Sequence, residues 1–216
     1  MKTIDIQITS DFICPWCWIG EANLEQALQI TGADETTKLL FIPYLLNPDM
    51  PIEGKNRKIY RTEKFGSWAR SQAMDAQVTL AGKASDRLFN YDVVEKTPNT
   101  VAAHRLIWRE QAGGNEATSL VKAIFEAYFR DGKDIGDLET LADIAGDRGQ
   151  DRESTLAFLK SNEGREEVLQ MAADAQLTGV RSVPSVNIAG HTVTGAQPAN
   201  IFSDILRRVQ AADGQE

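Results

Sequence analysis

The chain of 216 residues holds only two cysteines and two histidines, and its 23 Lys and Arg are outnumbered by 31 Asp and Glu, a net charge of −8. Two cysteines cannot build a disulfide framework, so stability must come from a packed core. A zinc site asks for four ligands. There is no second cysteine pair, and His104 and His191 are too far apart in sequence for the short His–His spacing of a zinc finger. No metal or other bound cofactor is expected. The shortage of positive charge argues against nucleic acid, whose binding rests on neutralising phosphates with Lys and Arg. Lys55, Arg57, Lys58, Arg61 and Lys64 form a local basic run, read as the solvated face of a helix. No apolar run approaches the ~18 residues of a membrane span, so no membrane partner is expected. The first residues, MKTIDIQITSDF, carry Asp5 inside their apolar alternation and show no small-residue cleavage pattern. An export signal is therefore not expected, and the expected location is cytoplasmic.

What is present centres on residues 10–20, SDFICPWCWIG, where Cys14 and Cys17 enclose Pro15 and Trp16. Ahead of this stretch, Ile4, Ile6 and Ile8 alternate with Asp5, Gln7 and Thr9, which predicts a strand over 2–9. Behind it, Leu24, Ala27 and Leu28 recur at helical spacing, and Gly32 is a plausible stop for a helix over 15–31. Residues 38–46, KLLFIPYLL, predict a second strand. Pro43 within it lacks a backbone donor and assigns the strand to a sheet edge. Strand, helix, strand in this order implies a parallel pair.

From Asn47 the pattern breaks, and the middle of the chain reads as helices. Thr97-Pro98 predicts an N-cap with proline at the first helical position, and Asp137 and Asp151 predict two more caps. A later helix over 163–178 should stop at Gly179. Two short strands follow, at 185–189 and 192–194, joined by a type II′ turn at Gly190-His191 that leaves His191 exposed. A last helix starts at Pro198, with a frayed tail after Gln210. The expected fold class is α/β. Residues 1–48 and 163–216 form one sheet-bearing domain, and 49–162 is a large all-helical insertion domain.

The thiolate is the nucleophile of thiol–disulfide exchange, and a free cysteine with pKa near 8.5 is only a few per cent ionised at neutral pH. Cys14 is placed at the N-cap, with Pro15 at the first helical position where no donor is lost. Its sulfur could there accept N–H bonds from Trp16 and Cys17 and feel the positive end of the helix dipole, which lowers the pKa. Trp16 adds area but no positive charge, so a less extreme lowering is expected than with a histidine at that place. Cys17, one turn on, is the more buried resolving thiol. A purely structural disulfide across so small a loop would add little stability. Redox catalysis is the chemistry this pair suits.

CPWC after an N-terminal strand, Thr97-Pro98-Asn99-Thr100 leading to Ala103-His104-Arg105, and Gly179-Val180-Arg181-Ser182-Val183-Pro184-Ser185 together resemble the DsbA-like thioredoxin-fold oxidoreductases, in their FrnE-like branch. Val193-Thr194-Gly195-Ala196-Gln197-Pro198 fits that branch too. The resemblance implies a thioredoxin fold and catalysis by Cys14 and Cys17. It implies a cis Val183-Pro184 bond beside the dithiol, and substrate contacts from Pro15, Trp16, Val183 and Pro184. Partners would be protein or small-molecule thiols and disulfides, with glutathione as a possible redox partner. The alternative is a glutathione-dependent isomerase or transferase of the kappa-class or 2-hydroxychromene-2-carboxylate isomerase type. One departure stands out: relatives place a buried acid six residues before the first cysteine, where this chain has Ile8. Asp11 reads as organising the turn and His104 as a structural helix histidine, so deprotonation of Cys17 is left among Asp11, water and the substrate. Trp16 and Trp18 are expected around Cys14, with core packing the second place for Trp18.

Overall fold

The computed structural model describes residues 3–213. Strand β1 (Ile4–Ser10) buries Ile4, Ile6 and Ile8 and exposes Asp5 and Gln7, as the alternation requires. Lys2, the first residue of the predicted strand, lies outside the described residues. Helix α1 (Pro15–Thr31) turns Leu24, Ala27 and Leu28 inwards and stops at Gly32 in the left-handed conformation, φ 63°. Strand β2 (Thr37–Pro43) runs parallel to β1 in register from Ile4↔Thr37 to Ser10↔Pro43. It starts and ends earlier than predicted, with Pro43 as its last residue.

A two-stranded ribbon, β3 (Lys55–Asn56), frames the start of α2 (Arg57–Phe65) and α3 (Trp68–Ala84) and closes on β4 (Lys96–Thr97). Two-residue strands carry no periodicity, so this ribbon is silent in the sequence pattern. It also corrects the Thr97-Pro98 cap. Thr97 pairs with Lys55, and helix α4 (Val101–Ala112) begins only after the Asn99 side chain has accepted the Val101 N–H at 3.0 Å. Helices α5 (Thr118–Phe129), α6 (Leu138–Gly146), α7 (Arg152–Lys160) and α8 (Arg165–Leu177) follow. Asp137 and Asp151 cap α6 and α7 as expected, accepting N–H bonds from Thr140 (2.9 Å) and Ser154 (2.7 Å).

Strands β5 (Ser185–Ile188) and β6 (His191–Thr194) complete a four-stranded sheet of order β2-β1-β5-β6, and β5 runs antiparallel to both neighbours. Pro43 therefore lies on an edge strand, as predicted. The hairpin turn is one residue earlier than expected. Ile188 pairs with His191, and Ala189 and Gly190 both have positive φ, 47° and 92°, the type I′ pattern. The Asn187 side chain steadies it by accepting the Gly190 N–H at 3.0 Å. His191 opens β6 and is exposed. Helix α9 (Ala199–Asp213) lies along α1 and continues past Gln210, while residues 214–216 lie outside the described residues.

One apolar cluster runs from the sheet into the helices. Its centre is aromatic: Trp18 of α1 stacks on Phe129 of α5 (5.9 Å between centroids) and meets Phe89 edge-on (4.9 Å), while Phe12 contacts Phe125 (5.0 Å). Trp18 is thus the peg that holds α1, and with it the cysteine turn, against the helical segment.

Candidate active site

Cys14 is the N-cap of α1 in an extended conformation, with Pro15 next. Its N–H donates to the Asp11 carbonyl (2.9 Å), and its own carbonyl accepts the Cys17 N–H (3.1 Å). The sulfur receives no capping hydrogen bond, which differs from the expectation. The Cys17 N–H is spent on the Cys14 carbonyl, and the Cys14 thiol reaches across to the Val183 carbonyl, 3.7 Å away. The cysteines are free thiols and both are buried, 5% and 2% exposed. They differ in access: Cys14 lines a cleft of about 230 Å³ and Cys17 does not. Burial, and then the neighbouring Cys14, pushes the Cys17 thiol well above the ordinary range.

The Val183-Pro184 bond is cis, as the resemblance implies. Pro184 is buried and its carbonyl accepts the Gly195 N–H at 2.8 Å, which ties the loop to the end of β6. Gly20 lets this loop come close to α1, because a Cβ there would stand 2.9 Å from Pro184 Cγ. The structure therefore brings Cys14, Cys17, Val183 and Pro184 together from distant stretches, Cys14 and Val183 being 169 residues apart in sequence.

Trp16, 41% exposed, stands at the cleft with Pro15. Trp18 takes the second of its two expected places, in the core. The basic run is a solvated face only in its lysines: Lys55, Lys58 and Lys64 are exposed, and the two arginines turn inwards. Arg57 is buried, and its guanidinium lies over Tyr91 and pairs with Asp75 at 2.7 Å. Arg61 takes the other Asp75 oxygen at 2.9 Å. Arg61 and Lys64 line the cleft, where Lys64 Nζ donates to Asn47 (2.6 Å) and Tyr60 (3.1 Å). Arg61 and Lys64 line the cleft against one carboxylate, Asp75, so the cleft of this acidic chain is locally basic.

Asp11 does more than shape a turn. It is fully buried; its Oδ2 accepts the Leu46 N–H at 2.7 Å, and its Oδ1 lies 3.6 Å from His104 Nε2. Neither Asp11 Oδ1 nor His104 Nε2 has another partner.

Glu21 is a residue the sequence pattern did not flag. It sits one turn beyond Cys17 on the buried face of α1, four residues on and three before Leu24, which is the signal that could have found it. Both carboxyl oxygens are buried without partners. Burial raises its pKa to about 8, opposed by Lys122 and Arg87, whose charges are already taken by Glu25 at 2.5 and 3.2 Å. A folded pKa above the unfolded value of 4.5 means that this group's stability is complete below pH 4.5 and is lost as the pH rises through 8. Glu21→Gln should therefore match the parent protein near pH 4.5 and exceed it by about 4 kcal/mol above pH 8. Urea melts of the two proteins at both pH values check this.

No group of three or more His, Cys, Asp or Glu arranged to hold a metal occurs among the described residues, and no described helix is long and apolar enough to cross a membrane. Larger hollows of about 490 and 670 Å³ include neither cysteine.

The chain resembles the uncharacterized Bacillus subtilis protein YwbO, with 23% identity over 212 residues, 94% of this chain and 96% of that one. A probable DsbA oxidoreductase from Streptomyces coelicolor superposes with a TM-score of 0.85 at 25% identity, covering 96% of this chain and 90% of that one. The fold is shared with a 2-hydroxychromene-2-carboxylate isomerase (TM-score 0.71, 16% identity, 97% and 98% covered). It is shared also with the cytosolic disulfide reductase DsbM from Pseudomonas aeruginosa with GSH (0.68, 10%, 96% and 99%). The model of the DSBA-like thioredoxin domain matches residues 5–207. With that match over nearly its whole length, the chain belongs to the DSBA-like thioredoxin domain family.

Proposed function

We propose that the protein is a thiol–disulfide oxidoreductase of the FrnE-like branch in which Cys14 is the attacking thiol and Cys17 resolves the mixed disulfide. The observation that carries this reading is the difference in access: Cys14 opens on the cleft, and Cys17 is sealed behind it with a thiol that burial keeps protonated. Attack from outside meets Cys14 first. Cys17 then competes for the mixed disulfide from one turn away, where effective concentration favours it. The half-buried Val183 and the Pro184 beside it form the wall an extended substrate would lie along, between the loop and Trp16. The net positive cleft favours thiols that carry a carboxylate, and glutathione is such a redox partner. A cytoplasmic setting, named for the fold relative DsbM, suits a dithiol held reduced.

The test is to measure insulin reduction and glutathione conjugation side by side with purified protein. Disulfide reduction without conjugation is the expected result. Conjugation without disulfide reduction would instead support the isomerase or transferase chemistry.

A further inference from the structure

The hollow of about 490 Å³ includes neither cysteine and lies where the sheet meets the helical segment. Its volume falls in the range that small-molecule ligands fill. One wall is a stripe of α1, with Glu21, Leu24 and Leu28 at helical spacing, and Ile8 of β1 and Leu39 of β2 add apolar surface. Within this lining Glu21 is out of place. It is 5% exposed, and both its carboxyl oxygens are buried without a partner. The cations that could neutralise it are engaged elsewhere, Lys122 at 2.5 Å and Arg87 at 3.2 Å from Glu25. Glu116 accepts the Thr118 N–H at 3.0 Å, and Asp34 and Lys38 are exposed at the edge. Carboxylates therefore outnumber ammonium groups around the hollow, and the most buried of them is the unpaired one. An unpaired carboxylate among leucines is costly by itself and complementary to an organic cation with an apolar body. A metal ion fits less well, because it needs several oxygen or nitrogen ligands, and no group of three His, Cys, Asp or Glu is gathered to hold one among the described residues.

We propose that this hollow binds a small organic amine, whose ammonium pairs with the Glu21 carboxylate and whose hydrocarbon body packs along Leu24 and Leu28. A change of side-chain rotamer turns the carboxylate to the ligand. The ammonium supplies the partner that Lys122 and Arg87 cannot, since Glu25 holds both. The site is separate from the dithiol and does not depend on the exchange function proposed above. Its pH dependence follows from the same residues. Burial keeps Glu21 protonated up to about pH 8, Glu25 and Glu116 act in the same direction, and Lys122 and Arg87 oppose them. An ammonium ion binds the ionised form, so below that pH it has to displace the proton. Affinity therefore rises with pH up to about 8 and then levels off.

The test titrates n-hexylamine into the purified protein by calorimetry from pH 6 to 9, with n-hexanol and hexanoate as controls of equal length. Hexylamine is expected to bind at one site and to tighten by roughly tenfold per pH unit below pH 8. Close to one proton should be released per ligand at pH 7, read from the heats in two buffers of different ionisation enthalpy. Hexanol and hexanoate should bind at least about tenfold more weakly. Glu21→Gln keeps the shape of the side chain, and at pH 9 it should weaken hexylamine by about 10- to 100-fold and abolish the pH dependence. A parent protein that does not bind hexylamine overturns the proposal. So does hexanol binding as tightly as hexylamine, or a Glu21→Gln variant with unchanged affinity, because the hydrocarbon alone would then account for binding. Should the variant not fold, methyl NMR of the parent protein decides. Hexylamine should shift Leu24, Leu28 and Leu39, and shifts confined to other residues would overturn the assignment.

Discussion

Cys14→Ser is expected to bring insulin reduction down to the rate measured without protein, whereas Cys17→Ala is expected to react once and stop. The serine hydroxyl supplies no thiolate at any accessible pH, and Cys17 cannot replace Cys14 because it does not line the cleft. Without Cys17 the mixed disulfide on Cys14 has no neighbouring thiol to break it. It should accumulate to full occupancy, visible as the substrate's mass added to the intact protein. The asymmetry is the informative part. If the cysteines were equivalent, the two variants would lose activity alike and both would trap an adduct. Thiol concentration in the buffer matters here, since free thiol would clear the adduct from Cys17→Ala and must be removed before mass analysis.

Arg105→Ala is expected to remove about 3–5 kcal/mol of stability, roughly a 10 °C fall in melting temperature. Arg105 is buried in α4, and its guanidinium spends its donors on four backbone carbonyls: Glu163 (2.7 Å), and Leu159, Phe158 and Ser161 (each 3.0 Å). These lie at the end of α7 and in the turn that leads to α8, where helical carbonyls have no partner of their own. The positive charge also meets the negative end of the α7 dipole and lies over the Phe158 ring at 4.9 Å. Alanine takes this donor from the Leu159, Ser161 and Glu163 carbonyls, the costly half of a hydrogen bond, while Phe158 keeps the Ser161 N–H and hydroxyl. Lysine should recover only part of the loss, because a point charge cannot serve carbonyls spread around a planar fork. Equilibrium urea unfolding of the three proteins measures this, and a loss under about 1 kcal/mol for alanine would count against the capping role.

The Arg105 network shows where sequence reading stops. The position was visible as part of a family-like segment, Ala103-His104-Arg105, yet nothing local says that its partners lie 53 to 58 residues away. The arginines of the basic run misled for a similar reason, while its lysines are exposed as expected. Charges spaced along a helix look solvated until a distant carboxylate, here Asp75 on α3, draws Arg57 and Arg61 inwards. The hairpin slipped by one residue because Gly190 fits either turn type. Pairing of Ile188 with His191 and the Asn187 side chain decided between them.

What the sequence determined by itself was whatever short-range chemistry controls. The alternation of Ile4, Ile6 and Ile8 specified β1, Pro43 specified an edge, Asp137 and Asp151 specified two caps, and the Cys14–Cys17 spacing specified a dithiol at a helix start. Each depends on a few neighbouring residues and a fixed backbone period. What only the tertiary structure decided was the surroundings of that dithiol. It put the Val183 carbonyl beside Cys14, brought His104 to within 3.6 Å of Asp11 and left Glu21 buried without a partner. These depend on burial and on contacts between distant segments, and so on how the aromatic core around Trp18 draws the helices onto the sheet.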